Sequence, residues 1–239
     1  IFVYSPRRKQ KDEPTHVVLN LKQNQTSFVA VVVVAEENAN LIVTETMEGQ
    51  DAGPAYRIEG DGVIAGQNAT VKFATLQKLG MGVNSLIMRR ASAGKDANVD
   101  WADISLGGGA TRQETETVLD GEGAASAILG AFFGEKSQQL DILTKAVHNA
   151  RSTTSTMDVK GALKGRAKAI VQGFTKIAEK ASNSDGRQKA NILLLSENAK
   201  ASPIPKLEID NFDVKASHSA SVGQLDKDKL FYMMSRGMD

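Results

Sequence analysis

Histidine is the residue type most able to do chemistry in this sequence, because the chain contains no cysteine. Without thiols it can form no disulfide, use no cysteine nucleophile and ligate neither zinc nor an iron–sulfur cluster through sulfur. Its three histidines, His16, His148 and His218, form no His-x-x-x-His or other dense ligand motif. Small residues surround His218 over residues 216–223 and leave its imidazole free to meet a second chain or a metal. We expect His16 and His148 to be structural, hydrogen-bonded strand or turn residues.

The remaining candidate motifs favour no enzyme. Asp100 and Asp103 flank Trp101 and could form the acid–base pair of a polysaccharide-cleaving protein, but residues three apart on a strand point to opposite faces. No Gly-x-Ser-x-Gly motif marks an activated serine, and the three glycines at 107–109 lack the Lys-Ser/Thr of a phosphate-binding loop. We therefore predict no catalytic and no cofactor-binding residues, and interpret residues 107–109 as a turn.

Charge and hydropathy argue against two classes of partner. The chain has 29 Lys+Arg against 28 Asp+Glu, and its basic stretch at 160–176 contains one aromatic residue, Phe174, so we expect no nucleic-acid binding. The longest apolar run, residues 28–35, is far shorter than the roughly 20 residues that cross a bilayer. We expect no membrane span and a cytoplasmic protein, and the start at Ile1 suggests a fragment of a longer chain.

A turn of the Asn-Ala type recurs along nearly the whole chain. Its last residue falls at positions 39, 69, 97, 124, 150, 181 and 213, in steps of 26 to 32 residues. After the first three turns the side chains alternate, with apolar residues such as Leu41 and Val43 on one face and Asn40 on the other. The alternation weakens later, and residues 152–156 are almost wholly polar.

This repeat predicts an all-β parallel β-helix, in which each coil stacks on the next. A sandwich or a barrel is the alternative, because both also have short strands at turn-marked intervals. Residues 48–61, with three glycines and Pro54, are predicted to be a loop between coils. Asp226 can cap a short C-terminal helix over 229–234, and Gly237 is placed to end it. We expect a β-helix core at 1–224, with 225–239 beginning a truncated C-terminal helical region.

The C-terminal third of the sequence resembles the SufB/SufD components of the Suf iron–sulfur cluster assembly machinery. The segments that carry the resemblance are NILLLS at 191–196, IPKLEI at 204–209, VKASHSASVG at 214–223 and LFYMMSRG at 230–237. Looser similarity extends upstream to residues 36–39, so nearly the whole chain is covered. The resemblance implies a right-handed parallel β-helix, which agrees with the solenoid predicted from spacing.

What the resemblance implies is a non-catalytic scaffold subunit. It would form a homodimer, or a heterodimer with a SufB/SufD-type chain, and recruit the ABC-type ATPase SufC through its C-terminal helical region. A nascent iron–sulfur cluster would form transiently at the subunit interface, with no cofactor bound stably by this chain alone. The alternative is an extracellular-type β-helix that binds or cleaves carbohydrate.

The resemblance also assigns site residues. The SufD pattern Cys-Ser-His-Gly-Ala-Thr puts its histidine on His218, its cysteine on Ala216 and its glycine on Ser219, and the SufB ligand positions fall on Ala190 and Ser219. One histidine cannot hold a cluster alone, so the chain is identified as SufD-like, with His218 as one cluster ligand, metal ligand or interface residue. The open end of a solenoid must be covered, which predicts a dimer interface at Leu207, Ile209, Val214, Ala216 and Val222. The apolar residues predicted to dock the ATPase are Leu230, Phe231, Met233 and Met234.

Overall fold

The computed structural model describes residues 1–49, 54–224 and 227–238 as a parallel β-solenoid with one short helix. Successive strands alternate between two eight-stranded sheets, and every pairing between named strands is parallel. The prediction of a parallel β-helix is therefore confirmed. The alternative prediction of a sandwich is wrong, because each strand pairs with the strand two positions along the chain and not with its immediate neighbour in sequence.

The strands are about ten residues long, and each coil contributes one strand to each sheet. The first sheet contains β1 (Phe2–Ser5), β3 (Thr26–Ala35), β5 (Ala55–Ala65), β7 (Val83–Ala93), β9 (Ala110–Leu119), β11 (Gln139–His148), β13 (Lys168–Ile177) and β15 (Lys200–Ile209). The second contains β2 (Thr15–Leu21), β4 (Asn40–Gly49), β6 (Thr70–Leu79), β8 (Asn98–Gly107), β10 (Ala125–Gly134), β12 (Thr154–Leu163), β14 (Ser184–Leu194) and β16 (Val214–Gln224). The helix is α1 (Lys227–Ser235).

A column of left-handed residues forms the turns between the sheets. Asn38, Asn68, Asp96 and Gly123 all have positive φ, and each donates its backbone N–H to a carbonyl of the next coil. Asparagine, aspartate and glycine tolerate this conformation best. The first four turns of the predicted repeat are thus confirmed.

The predicted fifth and sixth turns are wrong by three residues. The left-handed positions are Ser152 and Asn183, not Asn149 and Lys180. In the first four turns a buried alanine follows the left-handed residue, whereas Thr153 and Ser184 take that place in the later coils. A small hydroxyl side chain fits the same buried position, so a search for alanine misplaces the turn.

Apolar residues at the starts of the strands build the core of the N-terminal coils. The rings of Phe73 and Trp101 stack at 5.3 Å between centroids, and both side chains are fully buried. The indole N–H of Trp101 donates to Thr117 Oγ1 at 3.0 Å, which satisfies its polar atom inside the core. The predicted alternation of residues in these coils is confirmed.

The predicted loop at 48–61 is wrong over residues 48–49, which end strand β4, and over residues 55–61, which belong to strand β5. Residues 50–53 lie outside the described residues. In β5 the expected alternation is inverted, because Arg57, Glu59 and Asp61 point inward while Tyr56 and Ile58 are exposed. The charged residues pair with partners on other coils inside the solenoid. The glycines and charges that suggest a loop therefore belong to a strand with a polar inner face.

Polar side chains also fill the interior of the C-terminal coils. His148 is fully buried and its ring nitrogens lie 2.8 Å from both Thr153 Oγ1 and Ser155 Oγ. Thr153 in turn contacts Ser184 Oγ at 2.8 Å. This network explains the polar character of residues 152–156, because their inward positions hold hydroxyl groups instead of hydrocarbon.

Replacing Gly107 by alanine tests the stacking of adjacent coils. Gly107 has φ of 87°, and a Cβ there would lie 1.9 Å from the carbonyl oxygen of Leu79 in the preceding coil. We expect Gly107→Ala to lower the free energy of unfolding by about 3 kcal/mol or more. Gly60→Ala is the control, because no atom lies within 4 Å of its added Cβ. Denaturant unfolding that shows equal stability for the two variants would contradict this packing.

Candidate functional site at the open end of the solenoid

The last coil presents inward-facing side chains that no further coil covers within the described residues. β15 pairs only with β13, and β16 pairs only with β14. All six residues predicted for the interface or for a ligand lie in register with buried, inward-facing residues of the preceding coil. Leu207, Ile209, Val214, Ala216, His218 and Val222 align with Thr175, Ile177, Ser184, Gly186, Gln188 and Ile192, respectively.

Exposure changes sharply between the last two coils. Ile177 and Ile192 are 0% and 2% exposed, whereas their counterparts Ile209 and Val222 are 42% and 41% exposed. The same inward position therefore changes from core to surface in one step. Apolar side chains so placed form an exposed surface that a second chain can bury.

The two free strand edges differ in their hydrogen-bonding capacity. Lys200 and Asp210 donate their backbone N–H groups back to the preceding coil. The odd-numbered residues of β15, which alternate with these positions, therefore direct their N–H groups to the free edge. Two of those residues are Pro203 and Pro205, which have no N–H to donate. β16 contains no proline, so its edge is the better template for a pairing strand.

His218 lies in the middle of the inner face of β16 and is exposed to solvent. Its register neighbour Gln188 is buried and donates to Thr175 Oγ1 at 2.8 Å and to the Lys206 carbonyl at 2.9 Å. The Oε1 atom of Gln188 is buried without a hydrogen-bond partner. Gln188 is thus a polar group beneath His218 that the sequence alone did not single out.

The other two histidines lie away from this end. His16 is on β2, with Nδ1 at 2.6 Å from Thr44 Oγ1. Burial lowers the pKa of His148 to about 4, so its imidazole is neutral at physiological pH and bonded to hydroxyl groups on both sides. Both contacts agree with the expectation of hydrogen-bonded structural residues.

Apart from His218, the positions that the resemblance gives to cluster ligands carry alanine or serine, neither of which is a strong iron ligand. Ala216 faces inward beside His218, Ser219 faces outward, and Ala190 lies on the inner face of β14. Imidazole is the one strong iron ligand among these positions. A cluster at this end therefore needs further ligands from another molecule.

Helix α1 displays a group of large apolar side chains. Phe231, Tyr232, Met233 and Met234 are 74%, 57%, 46% and 60% exposed; the side chain of Leu230 lies outside the described residues. The predicted end of the helix is confirmed, since Gly237 has φ of 80° and Met238 N–H donates to the Met233 carbonyl. The predicted cap, Asp226, lies outside the described residues.

A buried ionic cluster lies inside the N-terminal coils and was not predicted from sequence. It comprises Glu45, Arg57, Glu59, Asp61, Arg89 and Asp103, all at most 5% exposed. Asp103 thus faces inward, while Asp100 is on the outer face of the same strand. The two aspartates form no acid–base pair, as the three-residue spacing predicted.

Across the three described stretches, no helix is long and apolar enough to cross a membrane.

Comparison with known proteins identifies the family. Residues 17–239 match the family model described as SUF system FeS cluster assembly, SufBD core domain. The chain is 32% identical to the iron-sulfur cluster assembly protein SufD of Bacillus subtilis, over 99% of this chain and 55% of that protein. It is 28% identical to an iron-sulfur cluster assembly SufBD family protein of Staphylococcus epidermidis, over 99% of this chain and 51% of that protein.

The chain spans about half the length of these curated relatives. The family model covers nearly all of its residues, including both strands of the last coil and helix α1. The match agrees with the resemblance found in residues 191–237, and with a parallel solenoid that ends in a short helix. The chain therefore belongs to the SufBD family of iron–sulfur cluster assembly proteins.

Proposed function

We propose that this chain is a non-catalytic scaffold subunit whose open solenoid end pairs with a second SufB/SufD-type chain to form an iron–sulfur cluster assembly complex. The observation that carries the proposal is the last coil, where the inward-facing Ile209 and Val222 are 42% and 41% exposed. A partner coil stacked on this end would bury those side chains and supply acceptors and donors to the free edge of β16. The complex would act in the cytoplasm, where ATP is available to its ATPase.

The ligand chemistry supports a shared site over one made by a single chain. His218 is on the surface that the partner would cover, and its neighbouring positions carry alanine and serine. A partner chain would supply the sulfur ligands and His218 one nitrogen ligand, so the cluster would be transient cargo held between two subunits. The partner can be a SufB-type chain that retains its cysteine; two copies of this chain would offer only paired histidines.

The ATPase SufC is the proposed partner of helix α1. Phe231, Met233 and Met234 are exposed on this helix, and methionine adapts its shape to a partner surface. The resemblance to the SufB/SufD components also implies that this region recruits the ATPase. ATP hydrolysis would then take place on SufC, and the scaffold would transmit the resulting movement to the paired solenoid ends.

The first prediction concerns pairing. Val222→Asp places a charge at an inward position of the open end, so we expect it to weaken the dimer or the SufB-type heterodimer at least tenfold. Ser221→Asp is the control, since Ser221 faces outward on the same strand. Sedimentation analysis reads out the association, with thermal unfolding to verify that both variants fold. Equal association by the two variants would place the interface elsewhere.

The second prediction concerns the histidine. In a reconstituted reaction with SufC and a SufB-type partner, we expect His218→Ala to lower the amount of assembled cluster at least fivefold. Ser217→Ala, one residue away on the outer face, should leave it unchanged. Cluster absorbance is the readout, and co-purification of the partner shows that pairing persists. Normal cluster build-up in His218→Ala would remove this side chain from the mechanism.

The third prediction concerns the ATPase. We expect Phe231→Asp to reduce capture of SufC by the immobilised chain at least tenfold, because it puts a charge into the apolar surface of α1. Phe212→Asp is the control, because Phe212 is even more exposed than Phe231 but lies between β15 and β16, outside the helix. Loss of SufC capture by both variants, or by neither, would contradict docking on the helix.

A further inference from the structure

One buried amide lies directly in register with His218. Gln188 is on β14, is 6% exposed and faces inward, and it pairs in register with His218 on β16. Adjacent strands are about 4.8 Å apart, so the two side chains leave the backbone one above the other on the same inner face. Within the described residues no coil lies above His218, and its imidazole is exposed. The amide of Gln188 is therefore the group on which the ring can rest.

Both hydrogen atoms of the Gln188 amide have an acceptor. Nε2 donates to Thr175 Oγ1 at 2.8 Å and to the backbone carbonyl of Lys206 at 2.9 Å. Lys206 is on β15, in the last coil, so the amide leans out of its own coil toward the coil of His218. Because a carbonyl oxygen can only accept, Lys206 must face the NH2 group and not Oε1. The orientation of the amide is thereby fixed.

The oxygen of the same amide is left over. Gln188 Oε1 is buried and has no hydrogen-bond partner. It occupies the space that Gly173 provides on β13, since a Cβ at Gly173 would lie 2.4 Å from it. A buried acceptor without a partner is costly, and most such atoms in folded proteins are bonded. Oε1 therefore needs a donor that can reach it from the open end.

His218 is a donor that also lacks a partner. Its ring nitrogens make no hydrogen bond within the described part of the chain. A neutral imidazole carries one N–H group and one nitrogen with a free lone pair. A cavity of about 20 Å³ beside Gln188 is lined by Ala190, Ala220 and Pro205, which offer no side-chain donor. That cavity has room for one water molecule, which is the competing partner of Oε1.

We propose that Gln188 is a positioning residue for His218. Its Oε1 atom accepts a hydrogen bond from one ring nitrogen and so holds the imidazole in a single tautomer. The pairing requires only a rotation of the exposed ring about its side-chain bonds. Because the fixed amide offers an acceptor and no free donor, it binds the N–H nitrogen and not the bare one.

The consequence is a ring nitrogen prepared for a metal. With one nitrogen held by Gln188, the other keeps its lone pair and faces the open end, where iron can bind it. This inference deepens the proposed function, because the ligand role of His218 rests on that function. The hydrogen bond itself does not, so it is tested in the isolated chain.

The test is the tautomer of His218, read by NMR from long-range correlations between ring protons and ring nitrogens at about pH 8.5, where a histidine ring is neutral. We expect about a tenfold excess of one tautomer in the wild-type chain. Gln188→Leu has a similar shape but no acceptor, so it should return the ring to the mixture of tautomers of a free imidazole. Gln188→Glu lacks the amide donors but keeps an oxygen at this place, and should preserve the excess. Since both variants lose the bonds to Thr175 and Lys206, a difference between them reports on the acceptor and not on those bonds.

The other histidines are internal controls in the same spectra. The ring of His16 contacts Thr44 on the first coils and should be unchanged in every sample. Unchanged signals from His148 show that the C-terminal coils remain folded, and His218→Ala identifies the signals of His218. An equal tautomer ratio in the wild-type chain and both Gln188 variants would overturn the proposal and leave Oε1 to a water molecule.

Cluster build-up separates this inference from the proposed function. In the reaction reconstituted with SufC and a SufB-type partner, we expect Gln188→Leu to lower the assembled cluster about threefold or more. In a chain that already carries His218→Ala, the same change should have no further effect. If His218→Ala lowers the cluster and Gln188→Leu does not, the positioning role is wrong and the ligand role stands. If His218→Ala has no effect, the proposed ligand role is wrong, and the tautomer ratio alone decides the hydrogen bond.

Discussion

The backbone hydrogen-bond ladder between successive coils is the interaction on which the rest of this structure depends. Outward-facing residues such as Thr70 and Asn98 bond back to the preceding coil, and the inward-facing residues between them bond forward. Each coil therefore completes the one before it and requires one after it. Within the described residues no coil follows the last one, β15 and β16, and the candidate site arises from this unmet requirement.

The same stacking rule explains why the interior can hold charge. Each inward-facing side chain packs against its register neighbours in the coils before and after it. A buried polar residue in one coil therefore needs polar partners in the adjacent coils. Glu45 is in register with Thr75, and Thr75 with Asp103. Arg57 and Arg89 reach across between the two sheets to join these columns. Polar layers and apolar layers thus alternate along the strands, with Leu41, Val43 and Met47 on either side of Glu45.

The sequence predicts the solenoid because its repeat is local: a left-handed turn residue followed by alternating side chains. The candidate residues of the last coil and of α1 were chosen with the help of the family resemblance at residues 191–237. It fails at β5, where Arg57, Glu59 and Asp61 have the period of a strand but the opposite polarity to the usual one. Their partners lie on β4, β7 and β8, and no single stretch of sequence shows that those side chains meet. Gln188 was missed for the same reason, since its meaning comes from its register with His218.

The central claim is that the free edge of β16 is the surface that accepts a second chain. Hydrogen–deuterium exchange of residues 214–224 tests it directly, because the N–H groups of inward-facing residues such as Ala216, His218 and Ala220 point to that edge. The account predicts rapid exchange in the isolated chain and at least tenfold slower exchange once a SufB/SufD-type partner is bound. Unchanged exchange in this strand, with new protection at β1 and β2 instead, would contradict it.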